Sequence, residues 1–253
     1  MTLLPEPFYD RGMKKAIVIG SSTGIGRALC VVLGEQGYEV GLAGRRTELM
    51  QELQGEIPAR TYVKVIDLAR PEEGRQALRE LIDEMDDVDL IVINSGVGSS
   101  APSWEEELEI MAVNVTGFAA MASLAMEYFA GRGAGHIVGI SSISALRGVT
   151  TAYSSSKAFD STYLEGLQFK ADRLGVDVCV TDVKPGFVDT PMTEGRPDMF
   201  WVAPADKAAR QIYNAIRKRR RHVYVTKRWR LMGWLMKMLP HRAASWVQSR
   251  RQG

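Results

Sequence analysis

Cysteine is nearly absent from this sequence. Only Cys30 and Cys179 occur, each inside an apolar run, so they read as reduced core residues and not as a disulfide framework. Long apolar runs are missing as well: no segment has about 18 uninterrupted apolar residues, which argues against a single-helix membrane span. Residues 1–15 include Pro5, Glu6, Pro7, Asp10 and Arg11 and hold no apolar run of the kind a secretion signal needs. A cytoplasmic location is the expectation, and no metal site is assigned. Internal repeats and low-complexity linkers are also lacking. The 253 residues, 45% of them hydrophobic, are therefore expected to form one domain (1–253) with a full core.

Acidic residues stop early. After Asp206 there is no Asp or Glu, while 14 Lys and Arg follow, which leaves 18 basic against 30 acidic residues before Lys207. An acidic body thus carries a basic tail. Charge alone would permit nucleic acid, but the body would repel phosphate and no recognition motif is present, so no nucleic-acid partner is expected.

What is present is a run of short apolar segments ending in glycine or polar residues. Residues 15–20 read as a buried strand that enters Gly20-Ser-Ser-Thr-Gly24-Ile-Gly26, followed by a helical pattern through Ala28, Leu29, Val32 and Leu33. Strand, glycine-rich turn and helix together let backbone N–H groups meet a phosphate at a helix N-terminus. The second strand, 38–43, is followed by Gly44, Arg45 and Arg46, where a site for NAD would want an acid on the ribose 2′-hydroxyl. A guanidinium there instead pairs with a 2′-phosphate. The adenosine end therefore predicts NADP(H) over NAD(H).

Further strands are predicted at 61–66, ending on Asp67, at 89–94, ending on Asn94-Ser95-Gly96-Val97-Gly98, at 136–140, delivering Ser141 and Ser142, and at 176–183, delivering Lys184 to Thr190. Residues 71–86 read as a charged amphipathic helix and 103–130 as one long helix with Asn114 inside it. A buried Asn in a helix interior is unfavourable without a partner. Strands alternating with helices imply an α/β fold with a doubly wound parallel sheet, whose C-terminal edge collects the loops. Gly20, Asn94, Ser142 and Pro185 all stand at strand exits, so one ligand could meet all four loops.

Residues 153–174 are expected to be a helix closed by Gly175, with Leu164, Leu167 and Phe169 toward the core. Tyr153 and Lys157, four apart, fall on one face of it. A phenol is a poor acid–base group at neutral pH, its pKa being near ~10, and an ammonium a few ångströms away favours its ionised form.

Taken together, these motifs resemble the short-chain dehydrogenase/reductase family, in its small single-domain branch, across most of residues 14–226. Gly20-x-x-x-Gly24-x-Gly26 matches the family's cofactor loop, although Ile19 stands where a Thr is usual. Ile93-Asn94-Ser95-Gly96 matches its Asn-Asn-Ala-Gly segment in part. Asn114, Ser142, Tyr153 and Lys157 match its catalytic tetrad, and Pro185, Gly186, Val188 and Thr190 match the loop that holds the nicotinamide. The 11-residue interval from Ser142 to Tyr153 is shorter than the family's, which leaves Ser141 as an alternative to Ser142.

The resemblance implies a Rossmann-type sheet of about seven strands flanked by helices. It adds Ser22, Thr23, Ile25, Asp67, Leu68 and Ser95 to the cofactor site, together with Tyr153 and Lys157. Tyr153 would exchange a proton with a carbonyl or secondary alcohol while a hydride moves to or from the nicotinamide. Lys157 would favour the phenolate and bind the nicotinamide ribose, Ser142 would stabilise the developing alkoxide, and Asn114 would hold a water linking Lys157 to solvent. A homodimer or homotetramer through 103–130 and 153–174 follows by the same resemblance. The competing reading is an NADP(H)-binding sensor or scaffold without turnover.

Two segments remain. Met192, Met199, Phe200 and Trp201 suit an apolar wall for a small carbonyl or alcohol substrate, or equally a loop docked on the core. Residues 227–253 form a basic, Trp-rich extension with Trp229, Trp234 and Trp246. Its apolar stretch 231–239 is too short to span a bilayer but suits lying in its interface, and the helix equally fits packing on a pocket or a partner subunit, or a solvated basic face. The segment 227–240 also fits peripheral contact with a membrane.

Overall fold

The computed structural model describes residues 14–99, 101–195, 199–238 and 240. The segment 1–13, Leu239 and Trp246 lie outside them, so the readings placed there are not taken further. Seven parallel strands form the sheet: β1 (Lys14–Ile19), β2 (Tyr38–Gly44), β3 (Thr61–Val65), β4 (Leu90–Ile93), β5 (Ala134–Ile140), β6 (Asp177–Pro185) and β7 (His222–Val225). The spatial order is β3-β2-β1-β4-β5-β6-β7. The chain builds outward from β1 in one direction and then, from β4, in the other. Between β1 and β4 the connections part to opposite faces, which opens a crevice at the C-terminal ends of the strands.

The helices are α1 (Gly24–Glu35), α2 (Thr47–Gln54), α3 (Pro71–Met85), α4 (Trp104–Met111), α5 (Phe118–Arg132), α6 (Ala152–Leu174), α7 (Ala205–Arg217) and α8 (Arg228–Met238). A strand's side chains alternate between the two faces of its sheet, and β1 shows the result. Ala16 and Val18 join a core with Leu29 and Leu33 of α1 and Ile212 of α7. Ile17 and Ile19 join the opposite core, with Leu78 of α3, Phe118 of α5 and Leu164 of α6. Both faces of the sheet are covered, as its near-continuous apolar strands require.

Two expectations need correction. The helix read over 103–130 runs from Trp104 to Arg132, but it passes through a π-helical turn at Ala112–Gly117 that contains Asn114. The wider turn lets the chain at Gly117 press against the next layer: a Cβ there would lie 2.3 Å from the Leu68 carbonyl oxygen. By length and composition alone this stretch could cross a bilayer, but half of its apolar window is buried inside the fold, as in a core helix. Phe169 was expected to face the core and is 60% exposed. Leu164, Leu167 and Ala171 occupy the core face of α6, and a residue five positions beyond Leu164 points about 140° away from it.

Candidate functional site

The glycine loop is built by close approach. Gly20 (φ +90) and Gly24 (φ +58) are in left-handed conformations that L side chains rarely adopt. A Cβ on Gly26 would sit 2.1 Å from the Gly20 carbonyl oxygen, and that oxygen accepts a 2.8 Å hydrogen bond from Asn94 Nδ2 at the exit of β4. The β1 and β4 exits are thereby joined. α1 starts at Gly24 with Thr23 as its N-cap, yet no side chain caps its first amides and no acid lies in its first turn. The Thr23 hydroxyl instead accepts a hydrogen bond from Arg46 Nη2 at 2.8 Å, as does Ser22 Oγ at 2.8 Å. Uncapped amides, no carboxylate and a Cβ-free approach suit the pyrophosphate of a dinucleotide. Arg45 and Arg46 are exposed beside the loop.

One cavity runs from this loop along the strand exits. Its walls include Gly20, Ser22, Thr23, Gly24, Ile25, Arg45 and Arg46 at one end. Asp67, Leu68, Asn94, Ser95 and Gly96 line its middle, and Ser142, Tyr153, Pro185, Gly186, Val188 and Thr190 its far end. Of the residues assigned from sequence, Gly26, Asn114 and Lys157 stand behind these walls. Asp67 Oδ1 also accepts from the Ala69 amide at 3.0 Å, shaping its own turn.

Asn114 is fully buried. Its Oδ1 accepts from the Val97 amide at 2.9 Å; its Nδ2 donates to the Val97 carbonyl at 2.8 Å and to Ser156 Oγ at 3.0 Å. The side chain thus ties the β4 exit to α6, and both of its amide hydrogens are used in doing so. Ser156 Oγ in turn donates to the Tyr153 carbonyl at 2.9 Å, which locks the first turn of α6. The Tyr153 ring packs against Gly98, where a Cβ would lie 2.6 Å from its Cδ2.

The two serines after β5 part ways. Ser141 Oγ donates to Asp182 and to the Val183 carbonyl, and Asp182 is itself paired with Lys184, so that hydroxyl is turned into the sheet. Ser142 Oγ accepts from the Ser144 amide at 3.1 Å, and its own proton has no acceptor among the described residues. A short 3-10 turn, Ile143–Leu146, follows it and takes up part of the interval to Tyr153.

Lys157 Nζ is buried. It donates to the Ile140 carbonyl at 3.1 Å and to Asp160 Oδ2 at 2.9 Å, and a Cβ on Gly96 would lie 3.2 Å from it. For the lysine, burial acts downward, and the Asp160 carboxylate together with Tyr153 more than offsets it, so its pKa rises. Burial pushes the Asp160 carboxyl up to about 6, with the Lys157 ammonium pulling against it. Asp160 is fully buried and its Oδ1 has no partner among the described residues. Sequence reading missed this residue, although a Lys and an Asp three apart on a helix is a visible signal.

The far end is aromatic. Val188 bridges to Ala203, and Thr193 Oγ1 donates to the Val188 carbonyl at 2.7 Å, closing the loop after β6. Thr190 Cγ2 reaches across to within 3.0 Å of a Cβ built on Gly24. Phe187, Phe200, Trp201 and Trp229 cluster with ring centroids 5.1–5.8 Å apart along their contacts. Trp229 of α8 is 3% exposed, and its indole lies directly on the Gly186 backbone. Of the apolar residues read after Thr190, Phe200 and Trp201 dock on Trp229, while Met192 lines the cavity. The inner face of α8 also meets the turn after Ser142 at Gly233, where a Cβ would be 2.6 Å from Leu146.

The family model described as short chain dehydrogenase matches residues 14–199. An uncharacterized oxidoreductase of Myxococcus xanthus (strain DK1622) is 38% identical over 193 residues, which cover 73% of this chain and 76% of that protein. Among solved structures, a short chain dehydrogenase/reductase from Burkholderia phymatum in complex with NAD superposes with a TM-score of 0.78 at 20% identity, covering 88% of this chain and 92% of that one. A short-chain dehydrogenase from Sphingobium yanoikuyae in complex with NADPH gives 0.72 at 20% identity, covering 90% and 97%. These two likenesses show a shared fold.

Proposed function

The chain belongs to the short chain dehydrogenases, and on that premise we propose that it transfers a hydride between NADP(H) and a carbonyl or secondary alcohol. One observation carries the reading. Ser142 and Tyr153 line the same cavity as the uncapped glycine loop, and Lys157 Nζ is held beside Gly96 in its wall. Bound there, the nicotinamide supplies or accepts the hydride. Tyr153 gives its proton to the carbonyl oxygen in reduction and takes it back in oxidation. The Lys157 ammonium sets positive charge beside the phenolate left behind and donates to the nicotinamide ribose. Ser142 donates to the developing alkoxide, and Asn114 fixes the loop and helix that carry these groups. Pro185, Gly186, Val188 and Thr190 border the nicotinamide end.

NADP(H) over NAD(H) rests on Arg45 and Arg46 and on the lack of an acid after β2. Met192 and the aromatic cluster favour an apolar substrate. The outer faces of α4 and α6 leave Trp104, Leu108, Met111 and Phe169 exposed, which supports assembly as a homodimer or homotetramer in the cytoplasm; a monomer by light scattering would overturn that assembly. The alternative of a sensor without turnover is weakened by the assembled Ser142, Tyr153 and Lys157, which binding alone does not need.

The test is oxidation of NADPH, followed by absorbance against a panel of ketones, aldehydes and lipid-like carbonyls, with Tyr153→Phe alongside. Turnover is expected to fall about 10²- to 10⁴-fold in the variant with cofactor affinity kept. Tight NADPH binding by the wild type with no turnover on any carbonyl would favour the sensor.

A further inference from the structure

Among the described residues, nothing covers the outer face of α8. Trp229 and Gly233, four apart, face inward on the site loops. On the opposite side, Leu231, Trp234, Leu235 and Met238 follow the i, i+3, i+4, i+7 spacing of a single helical stripe. They are 76%, 63%, 53% and 73% exposed, among the largest exposures of any apolar side chains described. Arg230 and Lys237 border that stripe on one side and Arg228 on the other, following the 3.6-residue period, and all three are exposed.

Three occupants could cover such a stripe: a second copy, a protein partner or a lipid surface. Charge decides among them. No acid occurs anywhere after Asp206, so two copies of α8 laid face to face would bring rows of Arg and Lys together with nothing to neutralise them. An apolar arc about 100° wide flanked on both edges by basic groups suits a helix lying in the boundary between acyl chains and anionic headgroups. A Trp at that depth adds an interfacial anchor. The basic count also continues in sequence beyond the helix, with Arg242, Arg250 and Arg251.

We propose that the outer face of α8 docks on an anionic lipid bilayer while its inner face packs on the loops of the candidate site, at Gly186 and Leu146. The docking stands independently of the reaction assigned to the site. Its consequence for that site, if the reaction is as proposed, is a substrate class: amphiphilic carbonyls or alcohols dissolved in the membrane, delivered beside the aromatic cluster of Phe187, Phe200 and Trp229.

The experiment is flotation of the full chain with vesicles of phosphatidylcholine alone and of phosphatidylcholine mixed with phosphatidylglycerol, at low and high salt. The wild type is expected to float with the mixed vesicles only, and to release at high salt. Leu231→Ser/Trp234→Ser/Leu235→Ser should stay in the bottom fraction while keeping the wild-type circular dichroism and NADPH affinity. Arg228→Gln/Arg230→Gln/Lys237→Gln, which keeps the apolar stripe, should bind the mixed vesicles about fivefold more weakly for each charge removed. Flotation of the serine variant equal to wild type would overturn the proposal, as would failure of the wild type to float. A serine variant that changes only the mass measured by light scattering would assign the face to a second copy and overturn it too. Flotation without turnover on any lipid carbonyl would leave the docking in place and count against the reaction instead.

Discussion

The two ends of the cavity are held by different forces. At the glycine loop, backbone meets backbone: Gly26 lies so close to the Gly20 carbonyl, and Gly20 to Ser95, that no Cβ fits, and the contacts are fixed by strand pairing and by the Asn94 hydrogen bond. At the far end, side chain meets side chain. Phe187, Phe200, Trp201 and Trp229 fill the space between α8 and a loop that the Val188–Ala203 bridge closes on itself. One end is rigid because it leaves no room, the other because it is filled. The first arrangement can present amides to a cofactor common to many reactions. The second can be refilled with other side chains and so can follow a substrate.

Substitutions can break this contrast. Trp229→Ala should have the largest effect, costing about 3–5 kcal/mol of stability and raising KM for the carbonyl, with NADPH affinity nearly unchanged. Urea unfolding and isothermal titration separate those outcomes, and an equal loss of cofactor binding would show that the two ends are not independent. Gly26→Ala acts on the other end. Its Cβ would collide with backbone that cannot yield, so about 1–3 kcal/mol of stability is expected to go, together with most NADPH binding, while tryptophan fluorescence from the aromatic cluster stays as in the wild type.

Arg46→Ala is gentler. It removes a charged donor worth about 1.5–3 kcal/mol from the 2′-phosphate, so the ratio of NADPH to NADH affinity should fall by tenfold or more, with NADH binding little changed. An unaltered ratio would move the discrimination to Arg45 or abolish it. The smallest effect is one of pH. The Asp160 carboxyl is raised to about 6, above the ordinary ~3.9 of an aspartate. The folded chain therefore holds a proton that the unfolded chain has already lost, and the stability this contributes is lost as pH rises from about 4 through about 6. Asp160→Asn should flatten that slope in denaturant midpoints, and an unchanged slope would mean that Lys157 keeps the carboxylate ionised throughout.

The legible parts of the molecule were those whose signal is local. The glycine spacing at Gly20, Gly24 and Gly26, the strand exits at Asn94 and Pro185, and the Tyr153–Lys157 interval each lie within a few residues of chain, and each loop was placed at the sheet edge where it occurs. The long-range contacts were not legible. Nothing near Gly186 announces that the indole of Trp229, more than forty residues on, will lie against it. Phe169 misled because helical spacing tells which residues share a face and not how wide the buried face is; Leu164, Leu167 and Ala171 fill it. The π turn at Asn114 was hidden for a related reason, since only tertiary contact at Val97 and Ser156 makes the wider turn worth its strain. Asp160 was visible and passed over, because a Lys and an Asp three apart usually meet on a solvated face. α7 was not read at all, although Ala208, Ile212, Ala215 and Ile216 stand at helical spacing along one buried face.

The bridge between Val188 and Ala203 has a consequence for how the protein can diverge. The chain after β6 closes on itself at that bridge, and Phe200 and Trp201 inside the closure dock on Trp229, while Thr190 reaches the glycine loop at Gly24. Exchange of Phe200 and Trp201 would leave the strand register as it is, whereas exchange of Thr190 would be felt at the glycine loop. Variation in what the protein acts on can therefore accumulate at the aromatic positions of this loop while Thr190 stays fixed.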